Sequence, residues 1–564
     1  MDLKEKLQDA YKEIRLENFV KAEAIYKDIL KTSSNNFEAN LNLGTLYARQ
    51  SKFHEAVKYL EVAISQNSQV PQIYNNLGLI YTHLDQNEKA VEVFNKVIKL
   101  NSASSVTYCH LGIAYTNLSK VIEAKESYKT SLELDPKNAL SLYNYGTLFK
   151  RLNDPENAEK YLTKAISISP NNFPPYNNLM EVYDKSNQNE KLKKIINDAK
   201  IKFKNNPSID LFDAKLLFKF KEYEKVIELL EKISFDGKEK YKEHNRTELI
   251  AKSYDHISNY KKAFEYFKIT NEVNYDLNKD IVDKNKYIEV VEKRINYFDK
   301  EKSIDWPKLS EINKSSDPIF LIGFPRSGTT LLDTILRSHP LIDVLEEKPI
   351  VDRFIELLNT KIKSDFNNLK NQKIDKEMRD FYFREKDKHS SKKNCKIVID
   401  KMPLNTVYVG ELVRFFPNAK FIFAIRHPSD CVLSCFMQNF LLNNAMTNFL
   451  NLEDSAKLYN QVMSLWELYN SKLKINFHMI RYEDLIENFE TEVKKLLNYL
   501  GVDWSNEVTE FYKTSKKRGM LNTPSYNQVS QPLYTKSIGR WKNYQDEFQK
   551  INPILDKWIQ KFGY

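Results

Sequence analysis

The stretch GFPRSGTT contains the side chains best suited to chemistry in this chain of 564 residues. Gly323 and Gly328 have the separation of the phosphate-binding pattern G-x-x-x-x-G-K-[ST], and Thr330 takes its final position. Thr329 stands where that pattern has its lysine. The stretch therefore predicts an anion-binding loop that lacks the compact ammonium which normally serves a nucleoside triphosphate.

Positive charge and donors for such an anion come from the loop itself. Backbone N–H groups from Ser327 to Thr330, at the start of the predicted helix, would point at a bound phosphate. Arg326 adds a planar and permanently charged group that carries five donors. The alternative is a glycine turn with a surface arginine, but the flanking sequence fits a strand, a loop and a helix.

Short apolar strands are expected to position this loop. In the second half of the chain, such strands alternate with stretches that have the hydrophobic period of a helix. PIFLIGF, CKIVID, KFIFAIR and NFHMIRY are typical of strands, and amphipathic stretches such as LNTVYVGELVRFFP lie between them. This alternation predicts an α/β domain with a mostly parallel sheet and helices on both faces. Ligands of such sheets bind beyond the carboxyl ends of the strands.

The first half of the chain repeats every 34 residues. Two series of small residues keep this step, namely Gly44, Gly78, Gly112 and Gly146, and Ala56, Ala90, Ala124 and Ala158. Two helices approach closely only where small side chains meet, so each repeat is expected to be a helical pair. The series extends to Ala10 with Ala22, Met180 with Leu192, Ala214 with Val226, and Ala251 with Ala263. About eight helical pairs are predicted.

This repeat resembles the tetratricopeptide repeat (TPR) over roughly residues 3–269, with Pro136 and Pro170 where that family often ends its second helix. The resemblance implies an all-α solenoid whose concave surface binds a protein or peptide. A scaffold that only stabilises or dimerises the chain is the alternative, so a homodimer stays open. The repeats carry no feature that names the partner.

The loop FPRSGTT resembles the 5′-phosphosulfate-binding loop of sulfotransferases, which use 3′-phosphoadenosine 5′-phosphosulfate (PAPS). A second motif of that family is a strand-end arginine followed eight residues later by a serine, and both grip the 3′-phosphate. Arg426 and Ser434 have this spacing in FIFAIRHPSDCVLSCF. The resemblance covers roughly residues 317–564 and is closest to the tyrosylprotein sulfotransferases and the TPR-fused bacterial sulfotransferases.

The resemblance also implies catalytic residues. Glu347, in SHPLIDVLEEKP, aligns with the general base that would take the proton of the attacking hydroxyl, and Glu346 is the neighbouring alternative. Lys401, in VIDKMPLN, aligns with a lysine that stabilises charge on the bridging oxygen of the departing nucleotide. Arg326 and Thr330 would steady the sulfuryl oxygens and the leaving phosphate.

Further nucleotide contacts are implied near the end of the chain. Tyr482, in MIRYEDL, aligns with a tyrosine that lines the nucleotide pocket, with a packing role as the alternative. Gln528 and Arg540 lie in SYNQVSQPLYTKSIGRW, which resembles the segment that folds over the nucleotide. Gln438 departs from the tyrosylprotein branch, which has a basic nucleotide contact there. This departure weakens the case for tyrosine as acceptor and leaves the use of PAPS expected.

Other functions are less consistent with these residues. A kinase or nucleotide hydrolase would use a loop lysine and a metal-holding aspartate. Thr329 stands in the place of that lysine, and no such aspartate is obvious in the sequence. An adaptor protein with an inactive C-terminal domain is the alternative from another class. His427, Cys431 and Cys435, four residues apart, could share a helix face as zinc ligands. Three ligands on one helix rarely complete a tetrahedral site, so we expect packed thiols and no metal.

Composition narrows the setting of the protein. Lys and Arg total 86 against 76 Asp and Glu, and this net charge of +10 favours anionic ligands without indicating nucleic acid. Four cysteines are too few for a disulfide scaffold. Apolar runs such as FIFAI are too short to cross a bilayer, and MDLKEKLQDAYKEI lacks the apolar core of a secretory signal. We expect a cytoplasmic protein without a membrane span.

The sequence thus predicts a TPR solenoid at residues 1–269, a helical linker at 270–316 and a P-loop-like α/β sulfotransferase domain at 317–564. The expected activity is transfer of a sulfuryl group from PAPS to an acceptor hydroxyl. A peptide tyrosine recognised with help of the TPR domain is the favoured acceptor, and a saccharide or small alcohol is the alternative.

Overall fold

The computed structural model describes residues 2–300, 304, 306, 317–390, 395–513 and 537–564. The chain forms two compact units, Met1–Ile233 and Ser234–Tyr564. This division differs from the boundary at residue 269 expected from the sequence. The reason is that the last helical pair of the repeat series packs against elements near the C-terminus, as the contacts of Asp255 and Tyr260 with Tyr544 demonstrate.

The first unit consists of helices that follow one another in pairs. In chain order they are α1 Leu3–Arg15, α2 Phe19–Thr32, α3 Phe37–Arg49, α4 Phe53–Gln66, α5 Pro71–His83, α6 Asn87–Lys99, α7 Ser105–Asn117, α8 Val121–Leu134, α9 Ala139–Arg151, α10 Pro155–Ile168, α11 Phe173–Lys185, α12 Asn189–Lys202, α13 Pro207–Lys219 and α14 Tyr223–Leu230. Proline in the first turn of α5, α10 and α13 favours helix initiation there.

A left-handed residue turns the chain within each pair. These residues recur every 34 positions with φ between 56° and 63°, and they are Glu17, Ser51, Asp85, Ser119, Asn153, Asn187 and Lys221. A left-handed residue after a helix satisfies its last carbonyl groups and lets the chain reverse. The repeat is therefore set by the turns as well as by the small residues.

Glycine lets the two helices of a pair touch. A methyl group at Gly78 would lie 2.4 Å from the ring of Phe94, and one at Gly112 would lie 2.7 Å from Tyr128. Leucine takes the place of the ring in two other repeats, as Leu60 does against Gly44. The predicted close approach at the glycines is confirmed, and its partner is a large side chain of the second helix.

The second unit begins with three long helices and continues with a sheet covered by helices. Its helices are α15 Lys240–His256, α16 Tyr260–Asn278, α17 Lys284–Lys300, α18 Thr329–Ser338, α19 Ile350–Lys361, α20 Asp375–Asp387, α21 Val409–Phe415, α22 Pro428–Phe436, α23 Leu452–Lys472, α24 Tyr482–Glu487, α25 Phe489–Leu500, α26 Gln545–Phe548 and α27 Asn552–Lys561. Its strands are β1 Ile319–Gly323, β2 Ile342–Glu346, β3 Ile397–Lys401, β4 Lys420–Ile425 and β5 Asn476–Arg481.

The sheet has the strand order β2-β3-β1-β4-β5, and every neighbouring pair in it is parallel. Both faces are covered, since Leu321 joins a core with α18 and α25 while Phe423 stacks on Trp466 of α23. Strands buried on both faces form near-continuous apolar runs. The predicted α/β class is confirmed, and β2 is a strand that the sequence patterns did not reveal.

Helix α17 lies in the segment predicted as a helical linker, and it is packed into the second unit. Arg294 of α17 donates to Glu411 of α21 at 2.6 Å, and both side chains are buried. Phe298 lies against Gly410, where a methyl group would approach its ring to 2.4 Å. Among the described residues, no helix is both long and apolar enough to cross a membrane.

The carboxyl of Asp400 is buried inside the sheet. Asp400 of β3 is 1% exposed and accepts a hydrogen bond from the hydroxyl of Tyr382 at 3.1 Å. Burial raises the pKa of Asp400 to about 7, and the bond from Tyr382 opposes this rise. The folded state therefore holds a proton that the unfolded state releases near pH 4.

We expect G78A to lower the free energy of unfolding of the repeats by about 1–3 kcal/mol, as overpacking does. Helices intrinsically favour alanine over glycine by about 1 kcal/mol, so the expected loss is what remains after this gain. Denaturant unfolding measures it. The matched control is the same change in an F94A background, where the methyl group has space and should be neutral or stabilising. An equal loss in both backgrounds would contradict the ring contact.

We expect the stability of D400N to improve relative to the native chain as the pH rises. Between about pH 4 and pH 7 the folded state binds more protons than the unfolded state at Asp400, so native stability falls across this window. Asparagine removes this dependence and can still accept from Tyr382. The difference in the free energy of unfolding between D400N and the native chain should change by about 2–3 kcal/mol from pH 5 to pH 8. A difference independent of pH would rule the assignment out.

Candidate functional site

The carboxyl ends of the five strands lie along one edge of the sheet, because all neighbouring strands are parallel. β1 and β4 are adjacent, so Arg326 and Arg426 follow neighbouring strands. Lys401 ends β3, and Glu347 follows β2. The fold therefore brings the predicted loop, strand-end arginine, lysine and base candidate to one edge.

The loop after β1 is held by close backbone contacts. A methyl group at Gly323 would lie 2.5 Å from the carbonyl oxygen of Ala424, so glycine lets the two strands meet. Thr406 accepts from the N–H of Gly323 at 3.0 Å and donates to its carbonyl at 2.9 Å. Gly328 has φ +96°, and a methyl group there would lie 2.6 Å from the ring of Tyr482. The loop thus fits against both β4 and the start of α24.

Two arginines line one pocket. Arg326 Nε donates to Ser434 Oγ at 2.9 Å, and Arg426 Nη1 donates to the carbonyl of Arg326 at 3.2 Å. Arg426 Nη2 also donates to the carbonyl of Ser537. The residues around the pocket are Arg326, Arg426, Asp430, Leu433, Ser434, Ser537 and Arg540. Three guanidinium groups and one carboxylate line it, which favours an anionic ligand.

The carboxylate in this pocket is engaged by backbone groups. Asp430 accepts from the N–H of Gly539 at 2.7 Å and from that of Trp541 at 2.9 Å. It lies only 3.9 Å from Arg426 Nη2 as well. Asp430 therefore anchors the turn at Gly539, and its negative charge lies beside the positive charge of Arg426.

Tyr482 stands between the loop and the strand-end arginine. The guanidinium carbon of Arg426 lies 5.1 Å from the centre of the Tyr482 ring, within the range of a cation–π contact. The hydroxyls of Tyr482 and Ser537 are 2.8 Å apart. With Gly328 against the same ring, Tyr482 fixes the distance between the two anion-binding elements.

Among the buried polar atoms near this pocket that lack a hydrogen-bond partner within the described parts of the chain, two donors suit an anion. They are Arg426 Nε and the hydroxyl of Ser327, which is 2% exposed. Buried polar atoms are normally satisfied, so each is available to a ligand oxygen. Thr329, the first residue of α18, is buried, and Thr330 follows it in the first turn. The predicted loop residues therefore surround the N-terminus of α18.

The base candidate and the lysine form an ion pair. Lys401 is fully buried and its Nζ lies 2.7 Å from Glu347 Oε1 and 3.5 Å from Glu346 Oε1. The Glu347 side chain is 43% exposed, so its carboxylate reaches both the lysine and the surface. Its backbone has φ +48°, and its N–H donates to the carbonyl of Lys401 at 2.8 Å. A non-glycine residue in this region persists where its surroundings fix it.

The remaining sequence predictions have different outcomes. Gln528 lies outside the described residues. Gln438 Nε2 donates to the carbonyl of Asn439 at 3.4 Å. Cys431 and Cys435 are buried and lie against backbone carbonyls, and burial raises the pKa of both thiols. The described residues include no group of three or more His, Cys, Asp or Glu that could hold a metal ion.

Sequence reasoning missed several residues that build the pocket. Ser537, Asp430 and Thr406 act through backbone groups of distant segments, and no local pattern marks such contacts. Asp255 is the most distant of these residues along the chain. Its Oδ2 accepts from Arg540 Nη2, 285 positions later, at 2.6 Å. It lies near the end of α15, the first helix of the last repeat pair, and the repeat pattern carries no signal for the pocket.

The chain is similar to known proteins in both halves. Residues 318–506 match the sulfotransferase family. Residues 11–71, 71–104, 106–138 and 139–172 match tetratricopeptide repeat models. The three matches from residue 71 to residue 172 each correspond to one helical pair, and the sulfotransferase match contains all five strands of the sheet.

Individual relatives are distant. A protein of Aquifex aeolicus is 28% identical over 257 residues, which are 44% of this chain and 33% of the relative. The protein-tyrosine sulfotransferase of Drosophila melanogaster is 26% identical over 256 residues, covering 42% of this chain and 49% of the relative. Protein-tyrosine sulfotransferase 1 of Danio rerio is 24% identical over 264 residues, covering 45% and 73%. The chain thus spans about a third of the length of the Aquifex aeolicus protein and about half of the length of the Drosophila melanogaster protein.

The residues that match the sulfotransferase family, 318–506, contain all five strands of the sheet and both arginines Arg326 and Arg426. The chain combines tetratricopeptide repeats with this C-terminal sulfotransferase-family domain.

Proposed function

We propose that the protein transfers a sulfuryl group from PAPS to an acceptor hydroxyl, and that the acceptor is a tyrosine of a protein or peptide. The observation that carries this proposal is the shared pocket of Arg326 and Arg426. A nucleotide with a phosphosulfate at one end and a phosphate at the other needs two cationic positions in one cleft. Similarity to protein-tyrosine sulfotransferases supports the tyrosine acceptor.

The residues of the pocket suit such a donor. The amides at the start of α18, with Arg326 and the unsatisfied hydroxyl of Ser327, would hold the 5′ anion. Arg426 and Ser434 would hold the 3′-phosphate. Arg426 Nε, which has no partner among the described residues, offers one further donor. Tyr482 would face the nucleotide next to these groups. PAPS supplies the activated sulfuryl group itself.

The chemical step that we propose needs no protein nucleophile. The acceptor oxygen forms a bond to sulfur while the bond between sulfur and the bridging phosphate oxygen breaks. Glu347 takes the proton of the acceptor hydroxyl, and the 43% exposure of its side chain gives an acceptor access. Lys401 orients the Glu347 carboxylate in the resting state and offers its ammonium to the leaving oxygen.

The repeats would present the acceptor protein. Solenoids of this kind offer an extended surface to a polypeptide segment, and this fits a macromolecular acceptor better than a small alcohol. Labelled-sulfate transfer from PAPS into a lysate, followed by identification of the labelled species, tests this part. Label on protein tyrosine supports it, and label on saccharide or a small alcohol would leave the sulfotransferase proposal standing with another acceptor.

Thermal unfolding with adenosine 3′,5′-bisphosphate, ATP or GTP separates the proposed function from nucleotide hydrolysis and from an inactive adaptor. A ligand present at about 100 times its Kd stabilises the folded state by about 2.7 kcal/mol. We expect selective stabilisation by the bisphosphate. Equal stabilisation by ATP, or none by any nucleotide, would contradict the proposal.

We expect R326A and R426A each to weaken binding of adenosine 3′,5′-bisphosphate at least tenfold, because each removes a charged donor set from the pocket. Isothermal titration measures the loss. The matched control is R384A, which removes an exposed arginine of α20. Circular dichroism checks that the fold is retained. Wild-type affinity in either folded pocket variant would remove the basis of the proposal.

We expect E347Q to bind the bisphosphate within about threefold of the native chain and to lose transfer by a factor of about 10²–10⁴, the usual contribution of a general base. Initial rates with labelled PAPS measure this. E346Q is the matched control, because Glu346 is the neighbour that also reaches Lys401. Loss in E346Q with full activity in E347Q would assign the base to Glu346 instead.

A further inference from the structure

The turn that carries Arg540 is held by two aspartates from different elements. The short 3-10 turn spans Arg540–Tyr544. Asp430 of α22 binds the backbone on one side of it, through Gly539 and Trp541. Asp255 of α15 binds side chains at both of its ends. The backbone and the side chain of Arg540 are therefore fixed by separate carboxylates.

Asp255 uses both oxygens of its carboxylate on this turn. Oδ2 accepts from Arg540 Nη2 at 2.6 Å, and Oδ1 accepts from the hydroxyl of Tyr544 at 2.6 Å. The Asp255 side chain is 16% exposed and that of Arg540 is 35% exposed. The carboxylate is thus mostly sheltered from solvent while the arginine is about one third exposed, and charge-assisted bonds of this length are the stronger kind.

The position of Asp255 is unfavourable for its own helix. It is the next-to-last residue of α15, where the partial negative charge of the helix end repels a carboxylate. Its contacts with Arg540 and Tyr544 offset that repulsion. The aspartate therefore serves a tertiary contact rather than the helix in which it lies.

The helical pair α15 and α16 is packed against the elements that form the pocket. Tyr260 lies 5.3 Å from Tyr544 between ring centres, and Phe264 lies 4.8 Å from Phe436. Asn271 of α16 donates to the carbonyl of Phe436 at 3.0 Å. Phe436 is two residues beyond Ser434, which lines the pocket. The pair thus supports the same helix that presents Ser434.

We propose that Asp255 is a positioning residue for the donor pocket, because its carboxylate holds the guanidinium of Arg540 where the anion binds. The pair α15 and α16, although its sequence continues the repeats, is then part of the sulfotransferase site. This inference rests on the proposed function, since the anion it concerns is the donor nucleotide. An arginine held in place loses less side-chain freedom when its ligand binds, and this raises affinity.

The test uses the full chain with Asp255→Asn, which is nearly isosteric and keeps an acceptor for Tyr544. We expect the Kd for adenosine 3′,5′-bisphosphate to rise about tenfold in isothermal titration, and the KM for PAPS to rise while kcat changes less than threefold. In an R540A background the same substitution should change the Kd less than twofold. Y544F, which removes the other bond to Asp255, is the matched control and should bind within threefold of the native chain.

An unchanged Kd, tighter binding, or an equal loss with and without Arg540 would overturn the role of Asp255. Tighter binding would mean that Asp255 acts against the anion by its charge. If the asparagine variant does not fold, Asp255→Glu is measured instead. It keeps the negative charge that holds Arg540 and should bind the bisphosphate with a Kd within threefold of the native value.

Hydrogen exchange without ligand distinguishes failure of this inference from failure of the proposed function. We expect amides of Gly539–Tyr544 to exchange several times faster in D255N, while those of β1 stay unchanged. If the native chain binds no bisphosphate, the proposed function fails and faster exchange still supports the positioning of Arg540. Unchanged exchange in this turn would overturn the positioning itself.

Discussion

The parallel pairing of β1 with β4 is the constraint on which the candidate site depends. The register sets Gly323 opposite Ala424, so the loop after β1 and the strand end before Arg426 leave the sheet together. Successive connections run in opposite directions from this pair of strands, which is where parallel sheets open a crevice for ligands. A shift of one residue would turn the strand's side chains to the opposite face and separate the two arginines.

Charge balance explains why this crevice suits an anion. Arg326 and Arg426 approach each other closely enough for the second to bond the backbone of the first. Like charges so near repel each other, and Asp430, whose oxygens bind backbone N–H groups, offsets only part of this. A dianionic ligand would relieve the repulsion, and the Ser327 hydroxyl, which has no partner within the described ranges, would gain an acceptor.

Local patterns allowed much of this architecture to be predicted from sequence. The 34-residue period, the glycine loop and the alternating strands each depend on neighbours in the chain, so the helical pairs and the α/β class were predictable. β2 was not, because Asp343 and Glu346 interrupt its apolar pattern, and Asp343 meets its partner Arg337 only in the fold at 3.6 Å. The roles assigned to Glu347, Lys401 and the pocket residues remain predictions.

Contacts between distant segments mark the limit of sequence reasoning here. Asp255 and Arg540 are 285 residues apart, and neither belongs to a motif that names the other. The same holds for Thr406, which bridges the two backbone groups of Gly323. Such bonds depend on the completed packing, so a chain read in windows of a few tens of residues cannot reveal them.

The division of the chain after Ile233 has an evolutionary consequence. Repeats that contact only their neighbours can be duplicated or deleted in whole units, because each removal leaves an equivalent junction. The pairs before Ile233 form a unit of their own, whereas the pair that contacts Phe436 and Tyr544 belongs to the unit that contains the sheet. Lineages that carry this architecture should therefore differ in the number of early repeats and keep the final pair.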